Sequence, residues 1–131
     1  MRIFVYGSLR GGLRHADELG ALPRAPASVR GALWLLAEGY PALCPDADGA
    51  RVRGEIVDGV DPARLAALDA FEGVERGLYR RETVLAEQDG ERVPCEAWTL
   101  PAEELRRRGA TPLALLDWAE HPLARGPGGG A

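Results

Sequence analysis

Short strand-forming runs, cut at close intervals by glycine, proline and aspartate, leave this chain few architectures to fold into. Ile3-Phe4-Val5-Tyr6 is rich in β-branched and aromatic residues and reads as an interior strand. Gly11-Gly12 then breaks the chain before a short helix over residues 14–19. A long strand is predicted over 27–37, ending at Gly39-Tyr40-Pro41, and a short extended segment over 41–45. Asp46-Ala47-Asp48-Gly49 is turn chemistry, and residues 52–57, with charged Arg51, Arg53 and Glu55 alternating, read as a half-exposed strand completing a hairpin. Asp61-Pro62 supplies an N-cap and a first-turn proline to a helix that runs to about Phe71. Strands over 79–87 and 92–99 flank Asp89-Gly90, a strong hairpin signal. A last short helix is predicted over 112–120, packing Leu113, Leu116 and Trp118 and ending at His121-Pro122. Mostly strands, with one central and one terminal helix, predict an α+β fold with a strongly curved or barrel-like mixed sheet.

A chain of 131 residues can bury a core without staples, so one domain is expected over residues 1–125, followed by a flexible glycine-rich tail over 126–131. The net charge of −4 argues against nucleic acid as a partner. No stretch approaches the roughly 18 consecutive apolar residues of a membrane span. No membrane partner is expected, and the strand-like start predicts a cytoplasmic protein. Cys44 and Cys95 lack metal-ligand spacing and read as ordinary thiols. Trp34, Trp98 and Trp118 suit a core or an interface, so both a monomer and a homodimer remain open.

Two places carry chemistry. The turn Tyr6-Gly7-Ser8-Leu9 can present successive N–H groups to an anion, although it matches neither phosphate-loop pattern. Ser8 has no histidine at a spacing that declares a triad; His15 follows the turn closely enough to line a pocket, and His121 reads as a helix-terminal residue. The second place is Glu72. With Leu65 and Leu68 marking the apolar helix face, Glu72 falls between them if the helical path continues one residue past Phe71. A buried carboxyl at a helix C-terminus has a raised pKa, as a general base or acid near neutrality needs. Periodicity alone leaves a second reading, a solvated acid paired with Arg76 or Arg80, because a slip of one residue turns the side chain outward. Tyr79 is placed either to bring its hydroxyl towards the carboxyl or to pack at a strand edge, and one of Arg80 and Arg81 is placed to pair with Asp69 or Glu75. Arg106-Arg107-Arg108 reads as a solvated helix end.

Tyr6-Gly7-Ser8-Leu9, Gly54-Glu55-Ile56, Leu68-Asp69-Ala70-Phe71-Glu72-Gly73-Val74 and Tyr79-Arg80-Arg81 together resemble, in order and spacing, the gamma-glutamylcyclotransferase-like family. The resemblance implies a small mixed β-barrel with flanking helices. It implies a pocket for a small-molecule γ-glutamyl substrate, lined by Tyr6, Gly7, Ser8, Leu9 and Tyr79, with Glu72 as the acid/base residue. It further implies that the substrate's α-amine attacks its own γ-carbonyl, releasing 5-oxoproline and an amine or amino acid, with no metal or organic cofactor. The alternative is a non-catalytic small-carboxylate binding protein of the same fold; a nucleotide-binding module is disfavoured by the missing phosphate motif. The leaving group is not legible, and its contacts are expected from loops over residues 39–45 and 75–78.

Overall fold

The computed structural model describes residues 1–11 and 15–124. Its sheet is built from β1 (Ile3–Val5), β2 (Arg24–Leu35), β3 (Pro41–Pro45), β4 (Ala50–Val57), β5 (Arg80–Gln88), β6 (Glu91–Thr99) and a two-residue β7 (Thr111–Pro112). Two α-helices flank it, α1 (Pro62–Phe71) and α2 (Ala102–Arg107). Pairing runs from β1 to β4, β2, β5 and β6 and returns to β1, which closes a barrel of five strands. The closing contact, Ile3 against Glu96, is parallel, as is Leu43 of β3 against Thr99 of β6, so the sheet is mixed.

β1 is short and apolar because both its faces are covered. Phe4 and Tyr6 point into the barrel core with Leu33, Ile56, Ala97 and Trp118, while Ile3 and Val5 point outward to Leu65, Leu68 and Trp98 beneath α1. That two-residue alternation seats α1 on the barrel wall. Asp61 caps the helix by accepting from the Arg64 N–H at 2.7 Å. Asp89 and Gly90 form the predicted tight turn between β5 and β6, with φ of 49° and 81°.

The structure corrects two predictions. Residues 46–49 do not make a hairpin of β3 with β4: both strands run antiparallel to β2, β3 opposite Gly31 to Leu35 and β4 opposite Arg24 to Gly31. Residues 112–120 are not a helix. Thr111 and Pro112 pair with Leu35 and Trp34, the Leu113 N–H donates to the Leu33 carbonyl at 2.9 Å, and the Leu116 carbonyl accepts from the Arg53 N–H at 2.8 Å. Sheet edges therefore take the hydrogen bonds that a helix would have used, and one 3₁₀ turn, Trp118–Glu120, remains, capped by Asp117. Its apolar residues still reach the core, Trp118 buried and Leu113 and Leu116 partly so. The second helix is instead α2, a short element that buries only Leu105. At residues 14–19 the described part is a 3₁₀ turn over Ala16–Leu19. Arg14 and the tail at 126–131 lie outside the described residues.

Candidate functional site

At the end of β1 the chain turns through Tyr6-Gly7-Ser8-Leu9, and the three carbonyls of Gly7, Ser8 and Leu9 are all engaged. They accept from the Arg10 N–H at 3.1 Å, the His15 N–H at 2.7 Å and Arg24 Nη1 at 2.7 Å respectively. Arg10 also pairs with Asp117, and the Gly11 N–H donates to Glu55 Oε1 at 2.7 Å, so the turn is braced from the protein side. Among the described residues the N–H groups of Gly7, Ser8 and Leu9 have no acceptor. The same three residues line a cavity of about 370 Å³. A turn with its carbonyls spent and its N–H groups unspent favours an anion or a developing oxyanion.

Glu72 stands at the other wall. It caps the C-terminus of α1, its N–H donating to the Leu68 carbonyl at 2.8 Å, so the helical path does run one residue past Phe71. The side chain consequently points inward and is half-buried at the cavity surface. Gly73 then reverses the chain with φ of 69°, a conformation that strains any residue with a Cβ, and its carbonyl accepts from the Leu78 N–H at 3.0 Å. Burial pushes the Glu72 carboxyl up from 4.5 to about 7. A group with that affinity exchanges a proton readily at neutral pH.

Tyr6 and Tyr79 complete the polar wall. The Tyr6 hydroxyl donates to the Trp98 carbonyl at 2.7 Å and the Tyr79 hydroxyl to the Pro41 carbonyl at 2.6 Å. Burial raises both phenols well above their ordinary range, and the charge of Glu72 raises each further. Both keep their protons and have committed them to backbone; the Tyr6 oxygen also accepts from the Leu43 backbone N–H, so one lone pair there and those of Tyr79 remain as acceptors. A carboxylate that shares a cavity with two phenol oxygens matches an ammonium group, while the N–H groups of the Gly7–Leu9 turn match a carboxylate.

The structure thus brings Tyr6, Gly7, Ser8, Leu9, Glu72 and Tyr79 to one cavity, and His15 lines it as well. Three contributions were not legible beforehand. Trp98 lines the cavity and joins its two walls: its carbonyl takes the Tyr6 proton and its Nε1 donates to Asp69 Oδ1 at 2.9 Å. Asp69 also accepts from Arg81 Nε at 2.9 Å, so the turn of α1 just before Glu72 is fastened to the β5–β6 sheet. Arg81 is therefore the arginine that pairs with Asp69, and it also holds Glu96 at 2.6 Å. Arg108 is not a solvated helix end: with Glu104 holding it at 2.8 Å, it donates to the carbonyls of Gly77 and Leu78 and supports the loop beside Tyr79. The third is the Pro41 carbonyl, since no side-chain pattern announces a backbone acceptor. His121 lies away from the cavity, stacked on Trp118 with ring centroids 4.5 Å apart. Among the described residues no group of three His, Cys, Asp or Glu side chains is placed to hold a metal ion. No helix among them is long and apolar enough to cross a membrane.

A small mixed barrel with one concave, largely aromatic cavity and a few convergent polar groups is a scaffold for a small ligand. The family model described as gamma-glutamyl cyclotransferase, AIG2-like, matches residues 3–120, and the chain belongs to that family. An AIG2-like protein from Mus musculus is 26% identical, with a TM-score of 0.68 over 92% of this chain and 90% of its own. YkqA from Bacillus subtilis is 23% identical with a TM-score of 0.71; the match covers 93% of this chain and only 40% of that protein. A gamma-glutamyl cyclotransferase at 19% identity shares the fold, with a TM-score of 0.61 over 76% of this chain and 66% of its own. No curated protein sequence shows significant similarity to the chain.

Proposed function

We propose that the protein cyclises γ-glutamyl amines or γ-glutamyl amino acids, releasing 5-oxoproline and the amine, with Glu72 as general base and then general acid. The observation that carries this reading is the position of Glu72, inward-facing on the cavity with its carboxyl raised to about 7, opposite unspent backbone N–H groups. In the proposed reaction the substrate's α-carboxylate or its developing oxyanion lies against the N–H groups of Gly7, Ser8 and Leu9. The α-ammonium lies against Glu72 and the oxygens of Tyr6 and Tyr79. Glu72 takes one proton from the ammonium, and the freed nitrogen lone pair attacks the γ-carbonyl carbon of the same molecule. The tetrahedral intermediate collapses as Glu72 returns the proton to the amide nitrogen, breaking the C–N bond, and the ring nitrogen, which still carries two hydrogens, gives its extra proton to water. Ring closure joins two ends of one substrate, so holding the γ-glutamyl chain folded supplies much of the rate.

The test is incubation of the purified protein with a panel of γ-glutamyl compounds, with 5-oxoproline quantified by mass spectrometry and Glu72→Gln as the paired control. Release that Glu72→Gln abolishes, with ligand binding retained, is the expected result. No release from a protein that still binds glutamate-like ligands would favour the non-catalytic binding protein instead.

A further inference from the structure

The cavity that holds Glu72 does not end at the glutamyl site. A second cavity of about 290 Å³ adjoins it, and Ser8, His15, Tyr40 and Pro41 line both. A substituent on a γ-glutamyl group bound between Glu72 and the Gly7–Leu9 turn can extend past this shared wall.

The walls there are apolar in an unusual place. Among the described residues six large hydrophobic side chains are exposed, and four of them, Tyr40, Phe71, Leu78 and Leu123, border the two cavities. His15 packs edge-on against Phe71, ring centroids 5.0 Å apart, which fixes one side of the mouth. Exposed apolar groups gathered at the mouth of a functional cavity mark a surface that a ligand covers. The charges point the same way. The ionised side chains that the described lining contributes are carboxylates, Glu72 in the first cavity and Glu38 in the second, and no arginine lines either. Glu38 has no ion-pair or hydrogen-bond partner among the described residues, and its charge is felt at the Tyr79 hydroxyl, as is the opposite charge of Arg108, which is already held by Glu104.

Resting on the cyclotransferase reading above, we infer that the leaving group is an amine with a flat apolar body and no carboxylate of its own, seated between Tyr40 and the Phe71–Leu78 rim. An arylalkyl amine covers the apolar rim and brings no negative charge. An amino acid or peptide leaving group brings a carboxylate into a space bounded by Glu38 and Glu72, whose described lining holds no cation and whose nearby Arg108 is spent on Glu104 and two carbonyls, and like charges so placed repel. Departure needs only the proton that Glu72 returns to the amide nitrogen, so the group leaves as the neutral amine and takes its second proton from water.

The experiment compares three substrates with one glutamyl head: γ-glutamyl-phenethylamide, γ-glutamyl-phenylalanine, which differs by a carboxylate, and γ-glutamyl-methylamide, which lacks the aromatic body. The expected result is kcat/KM at least tenfold higher for the phenethylamide than for either of the others. Glu38→Gln should narrow the gap to γ-glutamyl-phenylalanine, and Tyr40→Ala should raise KM for the phenethylamide more than for the methylamide. Equal or better use of γ-glutamyl-phenylalanine, or of the methylamide, overturns this inference and leaves the cyclotransferase reading standing. Release of 5-oxoproline from none of the three overturns both.

Discussion

Replacing Glu72 by glutamine should stabilise the fold at alkaline pH while removing turnover. In the folded protein the carboxyl titrates at about 7, against 4.5 for an ordinary glutamate. Because the folded value is the higher one, the contribution of this group to stability is fully present below about 4.5 and is lost as pH rises through about 7. At about 1.4 kcal/mol for each pH unit between the two values, ionising Glu72 costs the fold at most about 3.5 kcal/mol, less to the extent that water in the open cavity solvates the carboxylate. Glutamine has the same shape and never ionises. Urea unfolding followed by tryptophan fluorescence, run on both proteins at pH 4, 6 and 8, isolates this term, since every other titrating group is common to the pair. The curves should coincide at pH 4 and separate by about 2–3 kcal/mol at pH 8, with the variant the more stable. A difference that does not change with pH, or a variant less stable at pH 8, would refute the idea that burial raises this carboxyl.

On the proposed cyclotransferase function, kcat/KM for 5-oxoproline release should rise with pH through about 7 as Glu72 becomes able to accept a proton, which a pH–rate profile will read. Asp69→Ala frees Trp98 Nε1 and Arg81 Nε, and should lower stability by about 1–3 kcal/mol in chemical denaturation while reducing kcat more than it raises KM. Gly73→Ala forces a Cβ into φ of 69° and to within 2.6 Å of Leu78 Cδ1, so a loss of about 1–3 kcal/mol in thermal unfolding is expected, with activity falling because Glu72 is the preceding residue.

Much of the barrel was legible because its strands carry their own punctuation. Asp89-Gly90 announced the β5–β6 turn, Asp61-Pro62 announced α1, and Ile3 to Val5 announced a strand covered on both faces. What failed was partner choice. The turn residues 46–49 are real, but nothing local says whether the chain doubles back or continues along β2, since that depends on a strand twenty residues earlier. Likewise the leucines of 113–116 fit a helix by spacing, and only the free groups of Leu33 and Arg53 decide for an extended path. The inward phase of Glu72 could be read from Leu65 and Leu68. An arginine partner for Asp69 could be read as well, but its bond to Trp98 across the sheet could not, because the register of β6 against α1 has no local signature.

Adjacent residues of the Leu68–Val74 segment therefore divide the work in a way that follows from helix geometry. Leu68 is buried on the barrel wall, and Asp69, next along the helix, reaches the sheet through Trp98 and Arg81. Phe71 covers the cavity mouth, Glu72 completes the last turn facing inward, and Gly73 reverses the chain so that Leu78 and Tyr79 return to the same cavity. Trp98 then links this assembly to Tyr6 on the opposite wall through one residue, its indole N–H on Asp69 and its carbonyl under the Tyr6 hydroxyl. The contacts that fasten α1 to the barrel thus sit one helical turn before the buried Glu72 carboxyl. A change that loosens this junction should lower the Glu72 pKa towards that of an exposed glutamate and weaken its basicity before the barrel itself unfolds.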